Sequence, residues 1–246
     1  MQDYQTIYEA TAELSRLLLE EGALDTVLQG IAGQAVAVIP ACEEAGVTLE
    51  NDGQIRIRTT TGTRAEKVDA YQYEIDEGPC VAAADVKHPV LVEDMATDPR
   101  WPRFGRFASE LGIKSSYAIP MKMAGEVIGM LNLYSVDDPF GPEDERTGAM
   151  FAEHAAAAVR HATAFAKTRE IIANLHRALE TRDIIGAAVG IIMHRDGTSM
   201  DEAFDRLKKL SQRENVRLRD IAERMLGEFE SASASSFERK VQKTEP

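Results

Sequence analysis

The chain has 246 residues, 44% of them apolar and 28% charged, enough for one domain of ordinary size and a smaller second one. No apolar run reaches the roughly 20 residues of a membrane span, and MQDYQTIYEATAEL lacks the build of a secretory leader. Cys42 and Cys80 alone give neither a disulfide framework nor a thiolate metal site, so a cytoplasmic protein without metal or cofactor is expected. The net charge of −13 excludes a simple basic clamp on nucleic acid, but it is unevenly placed. Residues 1–168 carry 14 Lys/Arg against 27 Asp/Glu, whereas residues 169–230 carry 11 against 12, which leaves room for a local basic face in the C-terminal part.

Two helical patterns open the chain: Ile7, Ala10, Leu14, Leu17 and Leu18, then Leu24, Val27, Leu28, Ile31, Ala35 and Val38, closed by Pro40. AGVTLE, the turn NDGQ and IRIRTTTG alternate around Asp-Gly and predict a hairpin. PVLVED (89–94), YAIPMKM (117–123) and EVIGMLNLYSV (126–136) are further strand candidates, the last two joined through Ala124-Gly125. Strands that follow one another through tight turns, with helices at both ends, make an antiparallel α+β sheet. Neither GxGxxG nor GxxxxGK[ST] occurs, so a nucleotide-hydrolysing reading has no support.

After PFGPEDE the pattern turns helical. Phe151, Ala158, Phe165, Ile172 and Leu179 interleave with Ala155, Ala162, Arg169 and His176 at coiled-coil spacing, which predicts a signalling helix that also pairs with a second chain, with a helix packed on its own sheet up to about residue 165 as the alternative. Ile185, Val189 and Ile192 carry the helix to about Met193, and Gly186 and Gly190, four apart, suggest close packing against another backbone. Gly197 stops it. Ser199 and Glu202 form a capping box for a second helix with Ala203, Phe204, Leu207, Leu210 and Ser211 inward. Leu218, Ile221, Ala222, Met225 and Leu226 give a short third helix, and the Ser-rich tail 231–246 is expected to be disordered.

YEIDEGPCVAAA, HPVLVEDMATDPRWPRF, SSYAIPMKMAGEVIGMLNLYS and PFGPEDERTGAMFAEHAAAAV, in that order, resemble a GAF domain of the actinobacterial type that accompanies antitermination modules. The resemblance implies a six-stranded antiparallel sheet, a cavity between sheet and loops, and dimerisation through terminal helices. Cyclic-nucleotide-binding members carry an Asn-Lys pair where Ser135 and Val136 stand here; Phe140, Asp144 and Glu145 match the following stretch and have a plain role at a helix start. Trp101, Phe104, Met121, Met123 and Tyr134 are the candidates for lining a small-molecule cavity, with ordinary core as the alternative. Arg100 and Arg103, which flank the tryptophan, are candidates for reading an anion, with solvated loop residues as the simpler reading. In EGPC, Pro79 suits the first helical position and places Cys80 in a first turn, where amide donors lower a thiol pKa; a buried packing role is the simpler reading.

GAAVGIIMHRDGTSMDEAFDRLKKLSQRENVRLRDIAERML resembles an ANTAR domain, the RNA-binding output module of antitermination regulators. Val189 stands where the family usually has Lys. The resemblance implies that a dimer binds stem-loops in nascent leader RNA. Candidate contacts are Arg195, Arg206, Lys209, Arg213, Arg217 and Arg219 to phosphate and Asn215 to a base edge. The expected organisation is a GAF-like sensor over 1–165, a connecting helix and ANTAR-like all-α three-helix bundle over 166–230, and a tail over 231–246. The expected function is a signal-regulated, homodimeric RNA-binding antiterminator with no catalytic residue. The alternatives are a sensor with a protein-binding helical output and, more remotely, a thiol redox enzyme working through Cys80.

Overall fold

The computed structural model describes Ala12, residues 24–51 and residues 54–242. The Ile7–Leu18 helical pattern and the turn residues Asp52 and Gly53 lie outside these. Two compact units divide between Lys167 and Thr168.

The first unit is a five-stranded antiparallel sheet with helices on both faces. Helix α1 (Leu24–Val38) buries Val27, Leu28, Ile31, Ala32, Ala35 and Val38, the one face its spacing predicts. Strands β1 (Glu44–Asn51) and β2 (Gln54–Thr60) form the first hairpin. Helices α2 (Thr63–Ile75) and α3 (Pro79–Val86) follow, then β3 (Val90–Val92), α4 (Pro102–Glu110), β4 (Ser115–Met123) and β5 (Glu126–Ser135). The strand order is β2-β1-β5-β4-β3, five strands among the described residues where six were expected. Ala124 and Gly125 join β4 to β5 with φ of 52° and 85°, the double positive φ of a tight hairpin turn. Pro120 lies in β4 opposite Met130 of β5, two residues beyond the last pair that β3 makes at Ala118, so its missing N–H disturbs no ladder on that side.

Alternation along β4 and β5 sorts the side chains. Tyr117, Ile119, Met121, Leu131 and Leu133 pack with α1 and with Phe151, Ala155 and Val159 of α5, the helix Pro142–Asp196. The opposite face carries Ala118, Met130, Asn132 and Tyr134 under α2, α3 and α4. Covered on both faces, β4 and β5 are buried almost throughout. Helix α2 gives no apolar periodicity in sequence because two of its four buried positions are Asp69 and Gln72. Gly148 of α5 marks a close helix–sheet approach: a Cβ there would sit 2.9 Å from Ile119 and 3.2 Å from Tyr117.

The second unit is built from the C-terminal part of α5, α6 (Met200–Glu214) and α7 (Leu218–Gln242). Gly197, at φ 64°, ends α5, its N–H donating to the Met193 carbonyl at 2.9 Å. Both bonds of the capping box at Ser199 and Glu202 are present. Asn215, at φ 54°, ends α6 in the left-handed region. Ala188, Val189, Ile192, Ala203, Leu207, Ile221 and Ala222 form the core.

Four expectations change here. Phe204 is 41% exposed rather than inward, because Ala203 and Leu207 already define the buried face of α6. Gly186 and Gly190 are exposed and meet nothing within 4 Å, since they lie on the side of α5 opposite Ala188 and Ile192. Helix α7 runs on to Gln242, beyond the short helix expected and into the Ser-rich tail, where Ala, Glu, Arg and Lys favour helix and no proline intervenes. Along α5, Phe151, Ala155, Ala158 and Ala162 are spent on the sheet of the first unit. Beyond them the large exposed apolar residues of α5 are Phe165, Ile171, Ile172, Leu175 and Leu179, so the stripe runs through Leu175 rather than His176.

Candidate functional site

The first unit holds a polar cluster beneath α2. Asp69 is fully buried, and its Oδ1 accepts from Gln72 Nε2 at 3.0 Å, from Asn132 Nδ2 at 2.9 Å and from the Tyr134 hydroxyl. Gly46 of β1 admits the carboxylate, since a Cβ there would collide with it. Gln72 Oε1 accepts the Cys80 backbone N–H at 3.0 Å, and the Cys80 sulfur lies 2.7 Å from the Tyr73 hydroxyl. Burial pushes the Tyr134 and Tyr73 hydroxyls well above their ordinary range, and the neighbouring Asp69 and Cys80 add to the shift. Ser116 Oγ and Asn132 Oδ1 are buried on the same sheet face with no hydrogen-bond partner among the described residues. The cluster is closed, pre-organised and rich in acceptors.

The five sequence candidates for a cavity wall do not converge. Phe104 and Tyr134 are buried in one core with Trp101 at its edge. Met121 is buried on the opposite face of the sheet, and Met123 is half-buried at the end of β4. A period-two strand sends Met121 and Tyr134 to different sides, and a list assembled by residue type misses that. The polar groups Asp69, Gln72 and Asn132 escaped notice because no spacing rule joins residues over 60 positions apart. Arg100 chelates Asp98, donates to the Leu91 carbonyl at 2.6 Å and stacks 4.5 Å over Trp101; Arg103 pairs with Glu77 at 3.4 Å. Asp144 caps α5 by accepting from Gly141 N and Ala41 N, and Phe140 is buried beside Tyr117, the plain structural role expected for them.

Neither thiol is displayed. Cys80 is 1% exposed at the second position of α3, and Cys42 lies on the opposite face of the sheet, where burial pushes its pKa up to about 12. A thiol so protonated is a poor nucleophile.

In the second unit the basic candidates fall into three places. Arg195, in the last turn of α5, and Arg206 of α6 both bond Asp196, at 2.7 and 2.6 Å. Arg206, Lys209 and Arg213 follow one flank of α6 at helical spacing, with Arg213 3.8 Å from Glu214. Arg219 is set apart, paired with Glu223 at 2.7 Å and reaching Thr181, 14 residues or about 21 Å along α5 from Arg195. Lys209 and Arg217 are exposed and make no ion pair among the described residues. Asn215 is exposed, and its left-handed backbone makes it the stop of α6. Val189, where Lys is usual, is 5% exposed in the bundle core. The sequence reading missed Arg224, which spans from α7 to Glu214 at 2.5 Å.

Two known domain models fit this arrangement in the same order. Residues 21–160, more than half of the chain, match the GAF domain model. The chain belongs to the GAF domain family. Residues 173–226 match the ANTAR domain model, so the architecture is that of a two-domain GAF–ANTAR regulator. Among solved structures, the GAF domain of a phosphoenolpyruvate-protein phosphotransferase from Coxiella burnetii is 19% identical with a TM-score of 0.51, covering 65% of this chain and 96% of that one. A protein from Burkholderia vietnamiensis described as a GAF sensor is 17% identical with a TM-score of 0.50, covering 67% and 98%. A free methionine-R-sulfoxide reductase from Neisseria meningitidis is 14% identical with a TM-score of 0.49, covering 64% and 90%. At these identities the first two likenesses show the GAF fold alone. No curated protein matches the chain. No helix among the described residues is long and apolar enough to cross a membrane.

Proposed function

We propose that this GAF–ANTAR regulator is a cytoplasmic, signal-regulated transcription antiterminator whose three-helix module binds stem-loops in nascent RNA. One observation carries the reading. The module that matches the ANTAR domain keeps its core apolar and turns Arg206, Lys209 and Arg213 outward along one flank of α6, with Arg195 beside them. Such a flank meets phosphates, while unstacked loop bases are open to side chains. The GAF domain of the first unit supports a signal received there, and the exposed Ile171, Ile172, Leu175 and Leu179 support a homodimer paired along α5.

The test is binding of full-length protein to stem-loop and to unstructured RNA across a salt series. The reading expects a stem-loop preference and an affinity that falls steeply with salt. Equal binding of both RNAs, or an affinity indifferent to salt, sinks it and favours a protein-binding output.

A further inference from the structure

The second unit has a groove of about 820 Å³ between the end of α5, α6 and α7. Its apolar floor includes Ile191, Leu210, Met225 and Phe229. Phe229 is 48% exposed, one turn beyond Met225 on the inward side of α7, and it lies outside the residues that match the ANTAR model. The rim carries Arg195, Arg206 and Arg224 against Glu214 and Glu228.

We infer that this groove seats one unpaired nucleotide of an RNA loop, its base on Phe229 and its phosphate on Arg195 and Arg206. The inference rests on the RNA reading above and adds the place and manner of base capture. The two guanidiniums come from different helices and are held together by one carboxylate, Asp196, which leaves the trio with a net positive charge. Each guanidinium has five N–H donors and turns only one or two of them to Asp196, so others remain for a phosphate. Along α6 the groove runs from Arg206 to Glu214, about 12 Å, and the Glu214–Arg224 pair stands at its far end. An anion joined to a flat apolar ring matches the net positive Arg195–Asp196–Arg206 end and the Phe229 ring, while Glu214 and Glu228 outweigh Arg224 elsewhere on the rim and leave the anion that one place. A base stacks on an aromatic side chain whatever its identity, so the seat favours unpaired nucleotides over paired ones.

The experiment compares full-length wild type, Phe229→Ala and Phe229→Tyr. The probes are a pool of hairpin RNAs with a randomised loop and the same stem as an uninterrupted duplex. Phe229→Ala is expected to weaken hairpin binding about tenfold, with duplex binding and the salt slope unchanged, and Phe229→Tyr to restore it. Hairpin binding unchanged in Phe229→Ala overturns the inference, leaves the RNA reading standing and assigns the groove to a protein partner. Equal weakening on hairpin and duplex overturns it too. If wild type itself shows no loop preference and no salt dependence, the RNA reading falls, and the two failures are told apart.

Discussion

The two units place their polar chemistry on opposite sides of their cores. The first buries a carboxylate and gives it amide and hydroxyl partners from α2 and β5; the second keeps an apolar core and spends its charges at the surface in arginine–carboxylate pairs. A buried polar network is costly to disturb and insensitive to salt, whereas exposed pairs contribute little stability and exchange readily for an outside anion.

The largest effect expected follows from the buried network. Asp69→Ala leaves Asn132 Nδ2 and the Tyr134 hydroxyl without their acceptor and Gln72 Nε2 with only the Tyr134 oxygen at 3.4 Å, so with two donors orphaned at about 1–3 kcal/mol each the first unit should lose on the order of 2–6 kcal/mol. Thermal unfolding followed by tyrosine signals, all of which arise in the first unit, should shift down while the melting of the isolated bundle helices stays put. Equal shifts of both would break the comparison. Leu207→Ala is the mirror experiment: Leu207 is fully buried, and a cavity in so small a core costs about 2–5 kcal/mol. Helicity of the second unit should fall at a temperature where the first is intact, as read by far-UV against near-UV circular dichroism.

Alkaline pH sharpens the contrast without mutation. Cys42 ionises near 9.0 when unfolded and near 12 in the fold, so the folded state keeps the neutral thiol. Its contribution is fully present below about pH 9 and is lost as pH rises towards 12, at up to about 1.4 kcal/mol per unit. Tyr73 and Tyr134 are shifted upward as well and act in the same direction. Residues 168–246 contain no Cys or Tyr, so the first unit alone should weaken, by about 1 kcal/mol from Cys42 between pH 9 and 10. Urea unfolding at the two pH values measures it, and a stability that does not fall rules the burial effect out.

What sequence revealed follows the same division. The sheet, α1 and the bundle were legible because each obeys a local rule: alternation, 3.6-residue spacing, Asp-Gly and Ala-Gly turns, a capping box. Helix α2 was invisible because it buries Asp69 and Gln72 where periodicity looks for apolar side chains. The cavity list mixed Met121 with Tyr134 because which face a strand residue occupies is decided by pairing with β5 and by the helices above, not by residue type. The basic residues of the second unit could be named by type from sequence, yet their sorting along one flank of α6 and the pairing of Arg195 with Arg206 through Asp196 required the turn between two helices to be built. Phe229 lay past the expected end of the third helix, so nothing in the pattern marked it as part of a groove.

The smallest effect concerns the start of α6. Ser199 Oγ accepts the Glu202 N–H at 3.3 Å, and Glu202 Oε2 accepts the Ser199 N–H at 3.2 Å. Ser199→Ala removes one of these bonds and should cost about 1 kcal/mol, confined to the second unit. Because Arg206 sits two turns into the same helix and is tethered to Asp196 just before the cap, fraying there loosens the guanidinium pair before it melts the core. On the RNA-binding proposal, Ser199→Ala should therefore weaken RNA binding at temperatures where the bundle's circular dichroism is still that of wild type. A variant that loses affinity only in parallel with helicity would show that the arginine pair is no better placed by the cap than by the core, and would erase this distinction between surface and interior.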